Sequence, residues 1–160
     1  MSSLKVGMAD LKVVKNPGVL ATLGLGSCVG ICLYDSSAKI AGLAHIMLPS
    51  SKSIRNNTNK AKFADTGIDM LISEMEKLGA KKSRMTAKIA GGAQMFSFAS
   101  KNDMMKIGER NAIAVRESLK GHRISIKADD TGGNHGRSIE FHSEDGRLEI
   151  KTIGHGTKVF

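Results

Sequence analysis

Tryptophan is absent from this chain, tyrosine occurs once, and aromatic residues make up only 4% of it. Stacking platforms for single-stranded nucleic acid need such rings, so their scarcity argues against that role. Long apolar runs are also missing, and the amino terminus lacks a basic-then-apolar leader. The expectation is a cytoplasmic protein without membrane insertion. There are two cysteines, Cys28 and Cys32. Four positions apart in a strand, they cannot reach each other, and a reducing compartment keeps both thiols free.

Acidic residues are outnumbered, 15 against 24 basic, which gives a formal net charge of +9. Such a field favours anionic surfaces. The basic residues are spread through the chain, and no DNA-binding helical signature stands out, so no nucleic-acid partner is assigned. The 160 residues fit a single domain over 1–160 with an adequate core and no linker. A short flexible tail is expected near 154–160.

Familiar ligand motifs fail. In Gly24-Leu25-Gly26-Ser27-Cys28-Val29, valine holds the third glycine position of a dinucleotide fingerprint, and the next segment reads as strand. Gly154-His155-Gly156-Thr157-Lys158 lacks phosphate-loop spacing. His122, His135, His142 and His155 are scattered without a pair at metal-ligand spacing. No cofactor and no metal are assigned.

The periodicities predict an α/β fold, with a mixed, largely antiparallel β-sheet system and two main helices. Apolar positions Ala64, Ile68, Leu71, Ile72, Met75 and Leu78 place one helix over 60–78, stopped by Gly79. The other runs from about 108 to 120 and is closed by Gly121. Strands are predicted at 19–23, 29–34, 39–48, 85–90, 124–128, 138–142 and 147–153, the last two as a hairpin through Glu144-Asp145-Gly146. Gly91-Gly92 and Gly132-Gly133 read as turns. Met95, Phe96, Phe98, Met104 and Met105 cluster in an otherwise polar stretch, an adaptable apolar patch suited to a protein partner.

The densest chemistry lies in Thr22-Leu23-Gly24-Leu25-Gly26-Ser27-Cys28 and the hairpin after it. A turn centred between Ser36 and Ser37 sets Tyr34 against Lys39, Cys32 against Ala41, Gly30 against Leu43 and Cys28 against His45, all on one face. The other face carries Val29, Ile31 and Leu33 with Ile40, Gly42 and Ala44 toward a core. A one-residue slip would send His45 to the other face. An imidazole beside a thiol draws off its proton to form an ion pair, and the amides of a glycine-rich turn, Gly26 and Ser27, suit an oxyanion. Cys28 also reads as a small buried hydrophobe and His45 as a hydrogen-bonded core histidine. Cys32, inside Ile31 to Leu33, reads as packing.

Wider context resembles one family. Lys15-Asn16-Pro17-Gly18-Val19, the Thr22–Val29 segment and Ala44-His45-Ile46-Met47-Leu48-Pro49 are similar to CheD, the chemoreceptor glutamine deamidases of bacterial chemotaxis. The likeness continues through Lys62–Thr66, Ala87–Ala93, Ile107-Gly108-Glu109-Arg110-Asn111 and Asp130–Asn134. It implies a cysteine hydrolase that converts glutamines on receptor cytoplasmic helices to glutamate, releasing ammonia through a thioester. By the same resemblance the nucleophile falls on Cys28, the histidine on His45 and a third polar member on Thr22, whose hydroxyl would orient the imidazole. Implied partners are the receptor's cytoplasmic domains and the CheC phosphatase. The alternatives it leaves are a binding regulator of CheC and a methyl-ester hydrolase on the same receptors. The run from Phe96 to Lys106 is longer than the family pattern.

Overall fold

The computed structural model describes residues 3–53, 55, 57–95 and 106–160. The partner-binding candidates Phe96, Phe98, Met104 and Met105 lie outside them. Among these residues ten strands and two α-helices follow in the order β1 (Leu4–Lys5), β2 (Asp10–Lys15), β3 (Val19–Leu25), β4 (Val29–Asp35), β5 (Ile40–Ile46), α1 (Ala64–Lys77), β6 (Met85–Gly91), α2 (Ile107–Gly121), β7 (Ser125–Thr131), β8 (Arg137–His142), β9 (Leu148–Thr152) and β10 (Gly156–Val159). One sheet runs β2-β5-β4-β6-β7 and the other β1-β3-β8-β9-β10. Only β1–β3 and β6–β7 pair in parallel among the described strands. The mixed, largely antiparallel α/β fold with two main helices is therefore as the sequence predicts.

The central strands β4 and β5 of the first sheet are buried on both faces. Val29, Ile31, Leu33, Ile40, Ala44 and Ile46 meet Ile68, Leu71 and Met75 of α1 and Val115 and Leu119 of α2. Cys32, Tyr34, Ala41 and Leu43 meet Leu20, Ile139, Phe141, Leu148 and Ile150 of the second sheet. Alternation along each strand divides these two sets, so a single sheet serves two cores in a helix–sheet–sheet stack. Tyr34 spans the inner one, packing edge-on against Phe141 at 6.1 Å and donating its hydroxyl to the Ser143 carbonyl at 2.8 Å. As expected, Cys32 is fully buried packing, and burial pushes its thiol far above the ordinary range.

Several predicted ends move. Residues 60–62 form a 3-10 turn capped by Asn59, so α1 begins only at Ala64. Gly121 stays helical, and Arg123 takes the left-handed conformation after α2. Within the stretch expected as a tail, Gly156 to Val159 form β10, which pairs antiparallel with β9. All four of its residues are exposed, so it carries no hydrophobic signal.

The β4–β5 turn is held by Asp35, which has no solvent exposure. Its carboxylate accepts from the Ser37, Ala38 and Lys81 amides and from Arg84. Burial alone would raise its pKa, but Arg84 and the amides together hold it down at about 2. A depressed carboxylate contributes stability that is complete above its ordinary 3.8 and is lost as pH falls toward 2. Asp35→Ala should lower unfolding free energy in urea by about 3 kcal/mol at neutral pH. That deficit should shrink as the pH falls from 4 toward 2 if the carboxylate is its source.

Candidate active site

β3 belongs to the second sheet and β4 to the first, so residues 26–28 carry the chain from one sheet to the other. Gly24, at φ +68°, lies in an irregularity where the β3–β8 register shifts by one residue between Thr22 and Leu25. The extra residue lets Thr22 and Leu25 both point inward while Leu23 points to solvent.

The hairpin register differs from the predicted one. Gly30, not Cys28, lies opposite His45, and Asp35 lies opposite Ile40. Four residues form the loop, with Lys39 left-handed at φ +52°, because the Asp35 carboxylate gathers the Ser37 and Ala38 amides. The shift is two residues, and an even shift preserves the face. Cys28 and His45 therefore share the face toward the second sheet, one step along from direct opposition. They are 8% and 1% exposed.

Thr22 reaches His45 from the second sheet. Its Oγ donates to the Val6 carbonyl at 2.6 Å and contacts His45 Nδ1 at 2.7 Å. A hydroxyl has one proton, already given to Val6, so Nδ1 must be the donor in the second contact. The imidazole thus carries its proton on Nδ1, and Nε2 keeps a free lone pair. Nε2 is shielded from solvent and has no hydrogen-bond partner.

Burial acts against the ion pair suggested by the sequence. Burial pushes the Cys28 thiol up, only partly opposed by its own backbone N–H. Burial likewise pushes the His45 imidazole down. Both effects favour a neutral thiol beside a neutral imidazole at pH 7.

The carbonyls of the crossing segment are all engaged. Ala93 N–H donates to Gly26 at 2.8 Å, Gly92 N–H to Cys28 at 2.8 Å, and Asn111 Nδ2 to Ser27 at 2.9 Å. In a trans peptide the N–H points opposite to the C=O, so the Ser27 and Cys28 amides face away from Ala93 and Asn111. Gly91-Gly92 is more than a turn. Gly91 sits at φ +112°, and a Cβ there would run into the Cys28 carbonyl oxygen. Gly132-Gly133 braces this segment, through Gly132 N–H to Gly91 O at 3.0 Å and Gln94 N–H to Gly133 O at 2.9 Å.

Asn111 escapes a reading by spacing alone. Its signal is a polar residue on the buried stripe of α2, among Gly108, Ala112, Val115 and Leu119. Pairing also brings together residues that are scattered along the chain. Glu140 lies opposite Glu149, and with His142 their ligand atoms fall within 4.8 Å of one another. This group lies on the face of the second sheet turned away from Thr22. The Nε2 atoms of His135 and His155 are 2.8 Å apart.

A family model described as CheD chemotactic sensory transduction matches residues 47–152. A probable chemoreceptor glutamine deamidase CheD of Caldanaerobacter subterraneus subsp. tengcongensis is 65% identical over 155 residues, covering 97% of this chain and 96% of that protein. A protein of the same description from Syntrophomonas wolfei is 58% identical over 98% of this chain and 97% of its own length. The chemoreceptor glutamine deamidase CheD of Halalkalibacterium halodurans is 55% identical, covering 97% of this chain and 96% of its own.

Proposed function

Because this chain belongs to the CheD family, we propose that it hydrolyses glutamine side chains of chemoreceptor cytoplasmic helices to glutamate and ammonia, with Cys28 as nucleophile and His45 as base. The observation that carries this reading is the relay from the Val6 carbonyl through Thr22 to His45, which leaves Nε2 as a buried, unpartnered base on the Cys28 face.

The chemistry follows from neutral partners. Nε2 takes the thiol proton as Sγ attacks the carboxamide carbon, and the oxyanion is received by the Ser27 and Cys28 amides, the Cys28 amide taking the part expected of Gly26. The imidazolium then gives that proton to the departing nitrogen, which leaves as ammonia. Nε2 next removes a proton from water, whose oxygen attacks the thioester carbon, and the returned proton restores the thiol as the glutamate leaves. Thr22 fixes the tautomer through every step. As a neutral group it stabilises imidazolium less than a carboxylate would.

A protein substrate suits the surroundings. Leu23 and Ile153 are 58% and 67% exposed, and Met95 is also exposed. The Met95 side chain lies over Gly26, and it and Ile153 flank Gly136. These apolar groups beside the crossing segment offer a receptor helix a landing surface, and the net charge of +9 draws an acidic one. No helix among the described residues is long and apolar enough to cross a membrane. The test is incubation with a purified receptor cytoplasmic fragment, with ammonia release and peptide mass as readouts. Glutamine-to-glutamate conversion at defined sites is expected. Binding to receptor or CheC without conversion would transfer the reading to a regulator.

A further inference from the structure

Asn111 has no solvent exposure, and it lies on the buried stripe of α2, where its neighbours are small or apolar. Its Nδ2 donates to two carbonyls, Ser27 and Met47, each at 2.9 Å. Ser27 immediately precedes Cys28, and Met47 lies two residues beyond His45. The β4–β5 ladder pairs Gly30 with His45 and Val29 with Ile46. One further step would pair Cys28 with Met47, where the ladder has ended. A single carboxamide therefore ties together two segments that no longer have a rung between them.

The orientation of that amide is fixed. Flipping it would place its oxygen against two carbonyl oxygens. As it stands, Oδ1 is buried with no hydrogen-bond partner. An unpaired buried acceptor is unfavourable, and an apolar side chain would avoid it only by stranding both carbonyls. What the position gains is its pair of donors, one on each side of the candidate nucleophile and base.

We infer that Asn111 is a positioning residue that sets the spacing of Cys28 and His45. It also aims the Cys28 amide, because the Ser27 carbonyl and the Cys28 N–H share one peptide plane. It acts through the backbone, not on the substrate. The inference rests on the reading of Cys28 and His45 as the reacting pair.

The test compares Asn111→Ser and Asn111→Thr, the latter filling more of the volume and each retaining one donor, with Leu119→Ala. Leu119 is a buried α2 residue in the helix-side core, so its truncation supplies a matched loss of thermal stability. Three quantities are read: thermal midpoint, kcat and KM on the receptor fragment, and the rate at which iodoacetamide alkylates Cys28, located by peptide mass. Both Asn111 variants should lose kcat by roughly 100-fold with KM nearly unchanged, since a misplacement of about 1 Å carries that effect. Cys28, released from its buried seat, should be alkylated faster by about tenfold at mildly alkaline pH. Leu119→Ala should show neither change. If both variants match Leu119→Ala in kcat and in Cys28 alkylation, the inference is overturned, as it is if alkylation rises while kcat stays intact. If the wild type converts no glutamine, the deamidase reading falls by itself. Alkylation then decides alone, with altered Cys28 reactivity supporting the positioning role and unaltered reactivity overturning it.

Discussion

Cys28→Ala should abolish glutamine conversion, lowering kcat/KM at least about a thousandfold, while the protein stays folded. Only one sulfur is removed, from a side chain at the edge of the inner core, so the stability change should stay near 1 kcal/mol. Ammonia release and peptide mass measure the first, urea unfolding the second. The same variant separates two roles. A protein that acts only by binding CheC would lose nothing, so binding retained with conversion lost would assign the chemistry to this thiol. Conversion at the wild-type rate would remove Cys28 from the mechanism.

The second large effect concerns His45 and pH. His45→Gln keeps side-chain volume and a hydrogen-bonding end near Thr22 but has no base, so kcat should fall by roughly 100-fold to 10,000-fold. In the wild type, attack requires neutral imidazole, and burial has pushed the His45 pKa below its ordinary 6.5. The acid limb of kcat/KM should therefore have its midpoint below 6.5, so activity persists into mildly acidic buffer. The alkaline limb reports loss of the thiol proton, and burial has moved it above 9.0. A broad plateau between these limits is expected. A stable thiolate–imidazolium pair would behave differently, with rapid alkylation at neutral pH. That result would overturn the neutral-pair mechanism.

Much of this was open to the sequence, and the parts that were not share a cause. The β4–β5 hairpin and its two faces follow from alternation in Val29 to Asp35. Its exact register does not, because Asp35 is drawn to Arg84 and Lys81, partners 49 and 46 residues away. Parity survived the two-residue shift, so the grouping of Cys28 with His45 survived too. β10 went unseen because it is exposed and carries no apolar period, and β2 because the alternation of Leu11 and Val13 toward the helix-side core is short and set among Asp10, Lys12 and Lys15. The meeting of Thr22 with His45 depends on how two sheets stack, which strand periodicity does not encode. Family resemblance could name Thr22, whereas its use of Val6 to fix a tautomer required coordinates. Of the apolar stretch expected to suit a partner, Met95 is exposed, while its other members fall outside the described residues.

Thr22 stands on one sheet, His45 on the other, and Cys28 on the segment that joins them. The candidate site is therefore a gauge of the seam between the sheets. Shear along that seam would stretch the 2.7 Å contact that holds the imidazole, with no change at the sulfur itself. A partner seated on the outer face of the second sheet would then have a mechanical handle on the rate. Substitutions in the shared packing, Tyr34 against Phe141 for example, should act as trims of alignment before they act as losses of stability.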